Sequence, residues 1–171
     1  MKIDPVEIAK YLKILEDTPV RIATATQGCT EEELHSKSAA EGWSANDILA
    51  HLRACVDVWG KDMRTMLNED TPRFRHLSPR TWLRKTSYPE LPFYESFAAF
   101  TQARAELLAL LRNLSLTDWS RAAIVKQNGK ERTQTVFTRA RQMAMHEEAH
   151  CAQIEALFKR EDPADNRALE K

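Results

Sequence analysis

Met143-Ala144-Met145-His146-Glu147-Glu148-Ala149-His150-Cys151-Ala152-Gln153-Ile154-Glu155-Ala156-Leu157 is the stretch whose reading decides the fold. None of these residues breaks a helix, and Ala, Met, Glu, Gln and Leu all favour one. On a helix, residues three and four apart share a face. Met143, His146, His150, Ile154 and Leu157 therefore form one stripe, apolar except for its two histidines. A buried imidazole needs partners for its ring nitrogens. Two imidazoles one turn apart can converge on one metal ion, because neutral imidazole is the commonest metal ligand. The rest of the chain then has to bring a third ligand to this pair.

Upstream of that stretch, Thr133 or Thr135 opens the helix, which runs to about residue 160. The polar tail 161–171, with Asp162-Pro163 near its start, is expected to fray. Asn128-Gly129 is a tight-turn signal between two short extended pieces. Leu116-Thr117-Asp118-Trp119 reads as a capped turn. Residues 94–114 form another long helix, with Phe97, Arg104 and Leu111 in helical spacing. Residues 68–92 contain four prolines and many charges. They read as a long connection with one short helix near 80–84, and connections of that length are often functional or mobile.

Before it lies a helix to about Leu67, capped by Ser44 with Asp47 in its acidic first turn. Trp43, just ahead of the cap, is placed to pack back on the first turn as a staple. His51 lies on or beside the inner stripe of this helix, between Ile48 and Cys55. Thr30 with Glu33 matches a capping box for a short helical turn. Asp4-Pro5 starts the first helix, with Ile8, Tyr11, Leu12 and Leu15 as its stripe. Thr18-Pro19 is expected to break or kink it, and the helix resumes to about Thr26. The reading is one all-α domain over 1–171, with its core at about 5–160: a four-helix bundle with a long loop between the second and third long helices.

Composition narrows the function classes. The 171 residues carry 25 basic and 25 acidic side chains, so no basic excess points to nucleic acid or an anionic membrane. No apolar run approaches a membrane span, and the N-terminus lacks the apolar core of a signal peptide. Cys29, Cys55 and Cys151 are odd in number and far apart, unlike a disulfide framework, which makes a reducing cytoplasmic compartment the expectation. His35 and His76 read as surface histidines. Phe93, Phe97 and Trp82 are candidates for exposed apolar surface.

Two sets of residues together resemble a known family. They are Gly42-Trp43-Ser44-x-x-Asp47-Ile48-Leu49-x-His51-Leu52 and His146-x-x-x-His150-x-x-Gln153-Ile154. In this order and separation they resemble the DinB/YfiT-like family, over nearly the whole chain from Thr18-Pro19 through Trp119 and Arg121 to Gln153-Ile154. The resemblance implies a four-helix bundle with up-down-down-up topology, usually a homodimer. It implies a divalent metal, nickel or zinc, held by His51, His146 and His150. Members with known activity include thiol S-transferases that use a low-molecular-weight thiol and a thiol-dependent isomerase, so the resemblance implies the site more firmly than the reaction.

Two function classes stay open. One is a metal-dependent enzyme, with thiol transfer slightly ahead of hydrolysis. The other is a non-catalytic metal-binding or stress-related dimeric bundle. Three neutral imidazoles leave a metal's charge uncancelled and a position open, as in catalytic sites. Taken alone, His51 reads as a core histidine bonded to a backbone carbonyl. His146-Glu147-Glu148-Ala149-His150 also fits H-E-x-x-H, the zinc-hydrolase pattern in which Glu147 is the general base. Against that reading, the downstream Glu ligand it needs would have to be Glu170, in the polar tail. Cys55, one turn after His51, is either a small core residue or a neighbour of the metal. Gln153 is placed to hydrogen-bond a ligand histidine from outside.

Overall fold

The structure is a computed structural model that describes residues 3–37 and 42–159. In chain order its helices are α1 (Pro5–Ala25), α2 (Glu31–His35), α3 (Ala45–Asn68), α4 (Pro79–Leu83), α5 (Phe93–Arg112), α6 (Leu116–Ser120) and α7 (Val136–Leu157). A single 3₁₀ turn spans Tyr88–Glu90. The strands are β1 (Arg73–Arg75), β2 (Ala122–Gln127) and β3 (Lys130–Thr135). The expected polar tail lies outside the described residues, and α7 ends at Leu157 rather than near 160.

Local chemistry sets the helix starts. Thr30, Ser44, Ser115 and Thr135 each make a reciprocal capping box with the residue three positions on. Asp4 accepts from the Val6 N–H at 2.9 Å. Each cap satisfies N–H groups that a helix end leaves orphaned, worth roughly 1 kcal/mol apiece. Pro19 is a correction to the sequence reading: it sits inside α1, which continues unbroken to Ala25. One backbone bond is lost there, yet Leu15, Thr18 and Ile22 form a continuous buried face across it. Beyond the proline, Arg21 makes a two-pronged ion pair with Glu155 of α7 at 2.7 and 2.8 Å. Tertiary packing overrides the local cost.

Contacts between the four long helices fix their directions. Tyr11 packs on Phe137 and Arg21 pairs with Glu155, so α1 and α7 run parallel. His51 meets His146 while Asp62 meets Arg139, so α3 and α7 run antiparallel. Asn46 reaches Pro89 just before α5, and Arg53 reaches Ser96, so α3 and α5 run parallel. Arg112 reaches back to Glu16 while the Tyr94 hydroxyl reaches Thr26, so α1 and α5 run antiparallel. The order is up, down, down, up.

A parallel second and third helix require a crossover along the bundle, and residues 69–92 supply it. The segment is more structured than the long loop expected. It contains β1, α4 and the 3₁₀ turn, and it is clasped to α3 by one carboxylate. Asp57 Oδ2 accepts from Trp82 Nε1 at 2.9 Å and from the Tyr88 hydroxyl at 2.8 Å.

The domain is not purely helical. β2 and β3 form an antiparallel hairpin, and β1 adds to β2 in parallel, giving the sheet order β1-β2-β3. Asn128 and Gly129 turn the hairpin with φ of 50° and 77°, the positive values that a tight hairpin turn needs. Ala123 and Val125 of β2 face the core beside Trp119 and Val136. Phe93, expected on the surface, is fully buried, while Phe97 and Trp82 are half-buried. His35 is exposed, but His76 is half-buried beside the sheet. No helix among the described residues is long and apolar enough to cross a membrane.

The clasp predicts the effect of Asp57→Ala. It leaves two donors of the crossover without their acceptor, so urea unfolding should show a loss of about 1–3 kcal/mol. An unchanged midpoint would show that the crossover is held by apolar packing alone.

Candidate metal centre

The capping box at Ser44 fixes the start of α3, and His51 follows two turns into the helix. The antiparallel contact with α7 then sets His51 against His146 and His150. The three imidazole centroids stand 5.0, 5.1 and 4.5 Å apart for the pairs 51–146, 51–150 and 146–150. His51 Nε2 lies 3.3 Å from His146 Nε2. His51 is 4% exposed, whereas His146 and His150 are half-buried and form the solvent side of the cluster.

Each ring is oriented by a neighbour. Gln153 Oε1 lies 2.5 Å from His150 Nδ1. With Nδ1–H donating there, Nε2 is the nitrogen left as a lone-pair donor. Trp43 stacks parallel to the His150 ring at 6.0 Å, and its edge contacts His51 at 5.4 Å. Trp59 packs edge-on against His146 at 5.1 Å. Cys55 sits behind the cluster, fully buried, with Sγ 3.7 Å from His51 Nε2 and 4.0 Å from His146 Nδ1. Arg80 of α4 stands at the mouth, 5.6 Å over the Trp43 ring.

The electrostatics favour neutral imidazoles. Burial, then the neighbouring histidines and Arg80, hold His51 down to about 4. Burial, then His150 and Arg80, hold His146 down to about 4. Burial also lowers His150, against the opposing bond to Gln153. Burial pushes the Cys55 thiol well above its ordinary value. Neutral imidazoles are the form that binds metal. Two neutral Nε2 atoms at 3.3 Å can face each other only with a proton or a cation between them. Two nitrogens bound about 2.0 Å from one tetrahedral ion stand about 3.3 Å apart, which matches. His51 Nδ1 is buried without a hydrogen-bond partner among the described residues. One nitrogen each of His51 and His146 and the Cys55 sulfur all lie within 4.8 Å of one another. These residues suit a divalent metal.

Glu147, the base of the H-E-x-x-H reading, is not at this site's open side. It is fully buried and ion-paired with Arg104 of α5, which also contacts Met143 Sδ at 3.2 Å. Burial raises the Glu147 carboxyl, against the pull of the Arg104 guanidinium. A carboxylate in that setting is a core ion pair rather than a base beside bound water. Sequence reasoning missed three participants. Trp43 carried a signal, an aromatic just before a helix cap, but it was assigned to its own helix. Arg104 stands in the apolar spacing of its helix, but its partner is visible only in the packing, and Arg80 gives no signal at all.

A family model described as the DinB superfamily matches residues 14–154. The chain belongs to the DinB superfamily. Its sequence is 24% identical over 157 residues to a Geobacillus kaustophilus protein named "Putative metal-dependent hydrolase", covering 90% of this chain and 85% of that one. A Bacillus licheniformis protein with the same description is 24% identical over 160 residues, covering 94% and 90%. The fold matches YfiT from Bacillus subtilis with a TM-score of 0.77 at 21% identity, covering 91% of this chain and 87% of that one. That structure is described as "a probable metal-dependent hydrolase with an unusual four-helix bundle topology".

The Arg104–Glu147 pair predicts an asymmetry. Arg104→Met strands a buried carboxylate and should cost about 3–5 kcal/mol in urea unfolding. Arg104→Met with Glu147→Leu should recover most of that loss. Equal losses in the single and double variants would mean that packing volume, not charge, is what the pair supplies.

Proposed function

We propose that this protein is a metal-dependent hydrolase in which His51, His146 and His150 hold one divalent metal, zinc or nickel. The observation that carries this is the meeting of three imidazoles from two antiparallel helices, two of them at the solvent side. Three neutral ligands leave the ion's charge uncancelled and a coordination position open, the pattern of catalytic rather than structural sites. Such a metal, when bound, lowers the pKa of coordinated water to about 7 and polarises an oxygen of the substrate. Gln153 fixes the tautomer of His150, and Trp43 holds its ring plane. The metal-dependent hydrolase names of the relatives support hydrolysis ahead of thiol transfer.

Cys55 separates this reading from the non-catalytic one. Its sulfur approaches His146 at Nδ1, away from the Nε2 that faces His51, yet it lies 3.7 Å from His51 Nε2 itself. Its ligation state therefore decides between an open and a closed site. A thiolate completing a four-ligand set would close the site and favour metal storage or a structural role.

Elemental analysis of the purified protein should find close to one metal per chain, lost in both His51→Ala and His150→Ala. Absence of metal after loading with zinc or nickel, or unchanged content in both variants, would sink the metalloenzyme reading. Cys55→Ala should retain the metal, and cobalt-loaded protein should lack an intense near-ultraviolet thiolate-to-cobalt band. Such a band, abolished in Cys55→Ala, would favour the closed, non-catalytic site.

A further inference from the structure

We infer that Arg80 and Trp43 form an oxyanion subsite beside the metal, and that the substrate carries a carboxylate or phosphate group bridging the guanidinium and the metal. This rests on the metal site proposed above.

Arg80 is exposed, yet it is held in place. Pro79 beside it is buried, and Trp82 of the same short helix is tied to Asp57 of α3 at 2.9 Å. The Arg80 guanidinium lies 5.6 Å over the Trp43 ring, the ring that stacks on His150 and touches His51. Cation–π contact holds the guanidinium without using its N–H groups. Its planar fork therefore stays available, and that fork matches carboxylate and phosphate oxygens in pairs.

The charges around it are unbalanced. Glu147 is neutralised by Arg104 in the core. Asp57 is occupied by Trp82 and Tyr88. Asp47 is held by the backbone N–H of Ser44 at 3.0 Å. None of the ion pairs among the described residues includes Arg80. Its guanidinium stands one aromatic ring away from His150 and His51. A guanidinium in that position repels a divalent cation and by itself weakens metal binding. An oxyanion between the two reverses that sign, because it is attracted by both. The mouth of the site thus selects a negatively charged group, although the chain as a whole has no net charge.

The test uses cobalt(II)-loaded full-length protein titrated separately with acetate, inorganic phosphate and neutral imidazole, followed by the visible cobalt spectrum. At least one of the two oxyanions should perturb the spectrum. Its affinity should fall about tenfold or more in Arg80→Gln, the loss of one charge-assisted contact. Arg80→Lys should fall between the two, since it keeps the charge and loses the fork. Imidazole affinity should stay unchanged in both variants. The oxyanion that loses more identifies the substrate group as carboxylate or phosphate. Oxyanion affinity unchanged in Arg80→Gln overturns the subsite. An equal fall for imidazole overturns it too, because Arg80 would then only shape the pocket through Trp43. Wild-type protein that takes up no cobalt would instead sink the metal reading, and the subsite with it.

Discussion

The antiparallel contact between α3 and α7 is the constraint on which the rest of the structure depends. It is pinned at one end by the ion pair of Asp62 with Arg139 at 2.7 Å. Toward the other end, the same register delivers His51 to His146 and His150. Parallel packing of the two helices would carry His51 and Asp62 to the opposite ends of α7. Because α1 runs with α7 and α5 runs with α3, the up-down-down-up order follows from this one pairing plus the crossover. The crossover has a second consequence. It lays α4 across α3, and so brings Arg80 over Trp43. A bundle with short up-and-down loops would have no segment to put there.

Charge placement inside the bundle follows from the same packing. Arg104 and Arg139 are both fully buried, each opposite an acid on a neighbouring helix. Buried ion pairs contribute little net stability against an apolar alternative, but losing one partner is costly. Their effect here is positional. Glu147 can meet Arg104 only when α7 has one rotation about its axis, and that rotation turns His146 and His150 toward α3. The ion pair and the histidine cluster are two readings of one helix orientation.

Much of this was legible in the chain. Thr30 and Ser44 announced two helix starts and Thr133 or Thr135 a third, which falls at Thr135, because capping chemistry is local. The histidine stripe on α7 was visible from spacing alone, and the family resemblance brought His51 to it. What escaped was decided by partners far away in sequence. β1 is only three residues, Arg-Phe-Arg, with too few positions to show alternation, and it is a strand because β2 offers it an edge. Pro19 obeys a local rule that α1 violates, since burial on both sides of it outweighs one missing bond. Phe93 looked exposed at the start of a helix after a polar loop, but the backbone N–H of that residue is held by Glu31 of α2 at 2.8 Å, and the ring turns inward.

The H-E-x-x-H coincidence shows why a short pattern is decided by its surroundings. Two histidines four apart always share a face, and the residue after the first always lies about 100° around the helix from it. In a helix exposed on one side, that direction can point along an open cleft, where a carboxylate can meet bound water. In this bundle α7 packs on α1 as well as on α3, and Arg104 of α5 reaches it across the core. Turning His146 and His150 toward α3 therefore drives Glu147 into the centre, where only a buried cation can tolerate it. The same five letters thus yield two ligand candidates and a core ion pair. Held by Arg104 in the core, Glu147 is therefore not placed to act as an acid or base at the histidine cluster.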